Sequence, residues 1–299
     1  MTNSSAKPFL SDIDLYSTMR PDTLRSLRNK LSDKAGDAFT SVFSAFSSQS
    51  LGPCRFKKIR PGNRHAVIVV NGFMSQGVQE TCDWEDVIRA RYPSSTIYHL
   101  DWDAAKAPLA ALQDTFSARY RSPVRHALSV VPALAYASAW HRAMLSAEGA
   151  GRTLADAIYQ TPGWNFTLAG HSLGARVIHF ALKAIAQRGS CTIDDAYLLG
   201  GAVGGGAKDD ACWTSATRAV KGKIYNCHSA RDDVLRWAYQ GANGMRSSPV
   251  GLAGIHMQHD RIVQLDCSDF VGGHMQWKDQ FDQVLWRLQR RADYGGAVT

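Results

Sequence analysis

Phe166-Thr167-Leu168-Ala169-Gly170-His171-Ser172-Leu173-Gly174 decides how this chain is read, because it joins a short apolar run to the helical stretch Ala175 to Gln187 through a G-x-S-x-G turn. Two glycines are what such a turn demands. With strand and helix packed side by side a Cβ has no room at either position, and the serine between them is lifted above the sheet in a strained conformation. Upstream, Val67-Ile68-Val69-Val70 within Ala66 to Val70 is apolar without alternation, the pattern of a strand buried on both faces. Strand-length runs recur at Thr96 to Leu100, Ala196 to Leu199, Lys223 to Cys227 and Arg261 to Leu265, with helical stretches between them. The alternation predicts an α/β fold, a mostly parallel sheet covered by helices.

The chain's 299 residues, 45% hydrophobic and 20% charged, exclude disordered and fibrous classes and suffice for one large core. Its 34 Lys+Arg against 26 Asp+Glu give +8, but the basic residues (Arg25, Arg28, Lys57, Lys58, Arg60, Arg287, Arg290, Arg291) are scattered. A scattered surplus reads as solubility, with peripheral contact with an anionic membrane surface as the functional alternative. Nucleic-acid binding is not expected, since no basic helix or stacking platform is visible. Met1 to Leu10 carries one lysine and no apolar core, and no window reaches the roughly 18 apolar residues of a spanning helix. The nearest, Ala127 to Trp140, is short and contains Pro132. The expectation is a cytoplasmic protein, with export by a signal-independent route as the alternative. Cys54, Cys82, Cys191, Cys212, Cys227 and Cys267 form no CxxC pair and read as reduced thiols.

Residues 1–60 are expected to form an N-terminal helical extension, from the spacings of Leu24, Leu27, Leu31 and of Phe39, Phe43, Phe46. Residues 61–292 form the main domain, with 293–299 as a tail. Between the second and third predicted strands lie far more residues than one crossover helix needs. The Ala-rich excess, a helical insertion at about 104–150, is either a cap over a site or additional helix packed on the sheet.

A serine hydroxyl is a weak nucleophile at neutral pH, so Ser172 requires a histidine base and an acid to orient it. Loops after later strands supply both in the order serine, acid, histidine. Asp232 and Asp233 follow the strand ending at Cys227, and His274 lies in a glycine-flanked loop after Leu265. Asp232 is preferred because Val234-Leu235 then starts the next helix facing the core, which leaves Asp233 as a helix N-terminal carboxylate. His228 is the reserve base, and His171 is read as packing. His256 and His259 have HxxH spacing but lack the glutamate of HExxH, so no metal and no cofactor is expected. Asp194 and Asp195 precede their strand, at the wrong end of the sheet. Two N–H groups must face the developing oxyanion. Leu173, after the nucleophile, gives one; Phe73 in Asn71-Gly72-Phe73-Met74-Ser75 gives the other, with Met74 in reserve.

These residues resemble the α/β-hydrolase superfamily in its esterase and lipase branch, and more narrowly the DUF726 family, which includes a transmembrane and coiled-coil domain protein. The likeness rests on Val69-Val70-Asn71-Gly72-Phe73, Leu154-Ala155, Gly170-His171-Ser172-Leu173-Gly174-Ala175-Arg176-Val177-Ile178, Leu198-Leu199-Gly200-Gly201-Ala202 with Trp213, Asn226-x-His228-Ser229 with Asp232-x-Val234-Leu235, and Gly273-His274. It differs from the family pattern in lacking a spanning segment and in having histidine where tyrosine is usual, at 171 and 228. The resemblance implies the same triad and a serine hydrolase of carboxylic esters, with lipid or phospholipid acyl esters as substrate. Two rivals keep the fold: a noncatalytic binding module, and a secreted toxin-like lipase effector. Oligomeric state is not legible.

Overall fold

The computed structural model describes residues 54–73, 75, 82–105, 124–189, 192–239 and 248–294. All six predicted strands are present, as β2 (Asn63–Val70), β3 (Ser95–Asp101), β4 (Asn165–His171), β5 (Ile193–Leu199), β6 (Ile224–His228) and β7 (Ile262–Asp266). A seventh, β1 (Arg55–Arg60), lies at one edge, and the order across the sheet is β1-β3-β2-β4-β5-β6-β7. Of these, only β1 is antiparallel to its neighbour; β2 through β7 pair in parallel. This is the topology of the α/β-hydrolase fold, as the resemblance implied.

The sheet therefore begins at Arg55, and β1 belongs to the main domain rather than to the extension expected over 1–60. Arg-Phe-Lys-Lys-Ile-Arg escapes recognition because four of six residues are charged. Such composition suits an edge strand, where basic side chains discourage pairing with another chain. The helical spacings expected before residue 50 lie outside the described residues.

Burial on two faces explains the unbroken apolar runs. Val67 and Val69 point to one side with Ile97, Ala169 and Leu199, where α1 (Cys82–Arg91) and α6 (Phe281–Tyr294) supply Trp84, Ile88, Phe281, Val284 and Leu288. Ile68 and Val70 point to the other side with Leu100, Leu168 and Leu198. That side is covered by α2 (Val124–Tyr159), α3 (Leu173–Gln187), α4 (Asp210–Thr217) and the short α5 (Val250–Ala253). In α3, Val177, Ile178, Ala181, Leu182 and Ile185 recur at helical spacing and are all buried. Helix α6 runs to Tyr294, two residues into the stretch expected as tail.

The expected insertion resolves differently on its two sides. Residues 106–123 lie outside the described set, whereas 124–159 is one helix of 36 residues. From Trp140 onward α2 is crossover helix, not cap: Ala143, Met144, Ala147, Ala150, Leu154 and Ile158 are buried against the core. Small residues let it lie close to α3, since a Cβ on Gly151 would stand 2.6 Å from the Val177 carbonyl oxygen. Among the described residues no helix is long and apolar enough to cross a membrane. Cys54, Cys212, Cys227 and Cys267 are free thiols; Cys82 and Cys191 are not among the residues whose side chains are described.

Candidate active site

The chain runs from β2 outward to β3 and then returns across β2 to β4, so the strand order switches direction between β2 and β4. Crevices at the carboxyl ends of strands on either side of such a switch are where open α/β sheets place their ligand sites. Asn71-Gly72-Phe73 leaves β2 there, and Ser172 leaves β4.

Ser172 sits between the end of β4 and the first turn of α3 at φ 58°, ψ −121°. It is one of two non-glycine residues with positive φ among those described, the other being Ala105. Such a conformation costs on the order of 1–3 kcal/mol and persists only when its surroundings impose it. Here they do: the Ser172 N–H donates to the Leu199 carbonyl at 3.0 Å, and its own carbonyl accepts from Ala202 N–H at 3.0 Å. The residue is 1% exposed, and its Oγ has no hydrogen-bond partner among the described residues.

The glycines are required by contact. A Cβ on Gly174 would lie 2.1 Å from the Val70 oxygen and 2.9 Å from that of Asn71; one on Gly170 would lie 2.7 Å from the Gly174 backbone. Because Gly174 holds α3 directly against the end of β2, Gly174→Ala is expected to cost roughly 3 kcal/mol. Chemical denaturation should show a lowered midpoint, and an unchanged midpoint would refute this account of the turn.

Asp232 and His274 come together 42 residues apart in sequence: His274 Nδ1 lies 2.7 Å from Asp232 Oδ2, with Asp232 fully buried and His274 7% exposed. The carboxylate is held from three directions. Its Oδ1 accepts the Leu235 N–H at 3.0 Å, while Oδ2 accepts the Trp277 indole N–H at 3.0 Å besides the His274 contact. Asp233 is exposed. It is the first residue of the helical turn, the helix N-terminal place expected of it, and Asp232 caps that turn, its Oδ1 satisfying an N–H three residues on. Leu235 is buried, whereas Val234 is only partly so.

His171 adjoins both sides of the site. Its ring centroid is 4.7 Å from that of His274, and its Nε2 lies 3.0 Å from the His274 carbonyl oxygen. A carbonyl only accepts, so Nε2 carries the proton; burial first, then the neighbouring His274, pushes the His171 pKa well below its ordinary value and keeps the ring neutral. The residue read as packing thus also ties the His274 loop to the turn at Ser172.

The loop after β2 lies against the serine: a Cβ on Gly72 would stand 2.6 Å from Ser172 Cβ and 3.2 Å from its Oγ. Asn71 anchors it. The Asn71 side chain accepts the Trp84 indole N–H at 2.6 Å and contacts His99 Nε2 at 3.3 Å, and its backbone oxygen accepts the Trp102 indole N–H at 2.9 Å. Ser75 Oγ donates to the Gly72 carbonyl at 2.7 Å. Since N–H and C=O point oppositely in a trans peptide, that bond turns the Phe73 N–H away from Ser75. Met74 lies outside the described residues. Leu173 is the first residue of α3, where backbone N–H groups have no intrahelical acceptor.

The remaining candidates disperse. His228, at the end of β6, lies beside Asp266, and burial lowers its pKa. His256 contacts Asp210 at 2.9 Å, whereas His259 Nδ1 accepts the Arg261 N–H at 3.0 Å, so the two share no site. Among the described residues no three His, Cys, Asp or Glu side chains are grouped to hold a metal. Asp194 and Asp195, at the start of β5, bond Lys221 and the Lys223 N–H. The parts played by Trp277, Trp84 and Trp102 are not signalled by the sequence; each is a lone tryptophan between polar or charged neighbours, with no spacing that assigns its indole a partner.

Two buried histidines make stability depend on pH. His179, packed 4.3 Å from the Trp213 ring, is held down to about 3 by burial, and His171 is lowered as well. Above about pH 6.5 both are neutral whether the chain is folded or not. Below it the unfolded chain takes up protons that the folded chain refuses, so stability falls by about 1.4 kcal/mol per pH unit for each histidine until the folded groups titrate. Melting temperature should drop steeply from pH 6 to 4, and His179→Phe should flatten that slope. Parallel slopes for the two proteins would count against it.

Comparison with known proteins assigns the chain to a family. The family described as "Protein of unknown function (DUF726)" matches residues 110–290. An uncharacterized membrane protein of Schizosaccharomyces pombe is 31% identical over 150 residues, covering 50% of this chain and 25% of that protein. The probable lipase MIL1 of Saccharomyces cerevisiae is 27% identical over 152 residues, covering 50% of this chain and 14% of that protein. The chain thus spans a quarter or less of the length of these two relatives. Among solved structures, mouse alpha/beta hydrolase domain-containing protein 10 aligns with 80% of this chain and 96% of its own, at TM-score 0.40 and 10% identity. With well over half of its residues matched, including the serine turn, the aspartate loop and the histidine loop, the chain belongs to the DUF726 family.

Proposed function

We propose that the protein is a serine hydrolase of carboxylic esters, with lipid or phospholipid acyl esters as its substrate class. The observation that carries the reading is the buried Asp232–His274 contact at 2.7 Å, brought to the same sheet edge as a serine held at positive φ. Ser172 Oγ attacks the ester carbonyl as His274 Nε2 takes its proton, giving a tetrahedral oxyanion. His274 returns that proton to the departing alcohol and leaves an acyl-serine; water, activated by the same imidazole, then releases the acid and restores Ser172. Asp232 fixes the tautomer with Nδ1 protonated and Nε2 free to act as base. The N–H groups of Phe73 and Leu173 stabilise the oxyanion, each worth on the order of 10²- to 10³-fold in rate.

The lipid part is supported by the relative named a probable lipase and by the aromatic character of the loop bearing Phe73, whose ring packs edge-on against Trp140 at 5.1 Å. Fluorophosphonate labelling of the full chain, with the modified peptide identified by mass spectrometry, tests the chemistry. The label is expected on Ser172, together with turnover of p-nitrophenyl esters that rises with acyl length. Absence of label on folded wild type would favour the noncatalytic binding module, and turnover confined to short acyl chains would remove the lipid assignment.

A further inference from the structure

Among the described residues Trp277 is the one side chain besides His274 that donates to Asp232 Oδ2, and the proposed mechanism gives it no role. The local fold directs both residues at that oxygen. His274–Gln276 is a single 3₁₀ turn, closed by Gln276 N–H on the Gly273 carbonyl at 3.1 Å and by Gly272 N–H on Gln276 Oε1 at 2.7 Å. Side chains three apart eclipse one another in 3₁₀ geometry, which sets the imidazole of His274 and the indole of Trp277 on one side. Opposite them the sheet makes space: Gly200 sits at φ 53°, and a Cβ there would stand 2.3 Å from Trp277 Nε1. A glycine that looks like an ordinary residue after β5 is thus the socket for this indole.

We infer that Trp277 is a positioning residue of the active site, acting through Asp232, and that Gly200 is its seat. The inference rests on the serine-hydrolase reading. By sharing Oδ2 with His274, the indole N–H stops the carboxylate from rotating and draws off part of its negative charge, which limits how strongly Asp232 favours the imidazolium. Other charged or titratable groups near the pair are His171, kept neutral by burial, and Lys278, which acts on His171 from the same loop. Losing the indole donor leaves the carboxylate charge more concentrated, so His274 is protonated at higher pH and less of it is available as base.

The test is Trp277→Phe in the full chain, which retains a ring and removes the N–H. The second-order rate of fluorophosphonate labelling at neutral pH should fall about fivefold. Its acid limb should move to higher pH by about half a unit. Trp213→Phe removes another buried indole N–H, bonded to the Gly204 carbonyl at 2.9 Å, and should leave that limb in place. Gly200→Ala displaces the indole without altering it and should shift the limb in the same direction; it decides the matter if Trp277→Phe does not fold. A folded Trp277→Phe whose acid limb coincides with wild type overturns the inference. If wild type takes no label, the serine-hydrolase reading fails by itself. The titration of the His274 imidazole, followed by NMR in wild type and variant, then separates the two cases: an upward displacement supports the role of Trp277 and coincident curves refute it.

Discussion

Ser172→Ala is expected to lower kcat for ester hydrolysis by about 10⁵- to 10⁶-fold while leaving the fold intact. The size follows from what is removed. Without Oγ no acyl-enzyme forms, and what remains is water attacking a bound ester beside the oxyanion donors, a background that these donors and substrate binding alone sustain. Stability should not suffer. Oγ is buried and has no hydrogen-bond partner among the described residues, so removing it relieves an unsatisfied polar atom and is expected to raise unfolding free energy by about 1 kcal/mol. Alanine leaves the positive φ in place, so that strain is not relieved. A variant that is inactive yet at least as stable as wild type marks a residue kept for chemistry at the expense of stability. Turnover within tenfold of wild type, after purification from a host lacking background esterase, would sink the assignment of Ser172 as nucleophile.

Much of this site is legible in the chain because its parts are tied to strand ends. Buried parallel strands appear as apolar runs, and a parallel sheet puts all their carboxyl ends on one edge, so loops far apart in sequence converge without further information. That is why Ser172, Asp232 and His274 can be proposed as a triad before any coordinates, and why Asn71-Gly72-Phe73 stands out after β2. What escapes the sequence is of two kinds. Strand β1 hides behind its charge, because an edge strand has one exposed side and no need of an apolar run. Trp277, Trp84 and Trp102 hide because each places a single indole N–H on a polar atom that only tertiary packing brings near. Gly200 is the one trace of this in the sequence, and it acquires meaning only once the indole beside it is seen.

Geometry separates two adjacent carboxylates that pattern leaves open: Asp232 lies 2.7 Å from His274 Nδ1, whereas Asp233 is exposed. Asp232→Asn is expected to reduce kcat/KM by about 10³- to 10⁴-fold, whereas Asp233→Asn should change it less than twofold. Asp232 is fully buried and satisfies three donors from two segments: the Leu235 N–H from the turn after β6, and the Trp277 indole and His274 Nδ1 from the loop after β7. An amide has one acceptor atom where the carboxylate has two, so whichever way the substituted side chain turns, its NH₂ faces an N–H. Turned one way it opposes Leu235 and loosens the start of the following helical turn. Turned the other it opposes both Trp277 and His274, which drives the imidazole to the tautomer with Nε2 protonated and unable to accept the proton of Ser172. The second outcome removes the neutral, oriented base, and in either the negative charge that would stabilise the imidazolium is gone. Asp233 is exposed, so the charge its asparagine variant loses is screened by solvent. Steady-state kinetics on the two variants, with melting curves to confirm folding, distinguish the residues directly. Equal losses in both would mean that the Asp232–His274 contact is structural and that the acid of this site lies elsewhere.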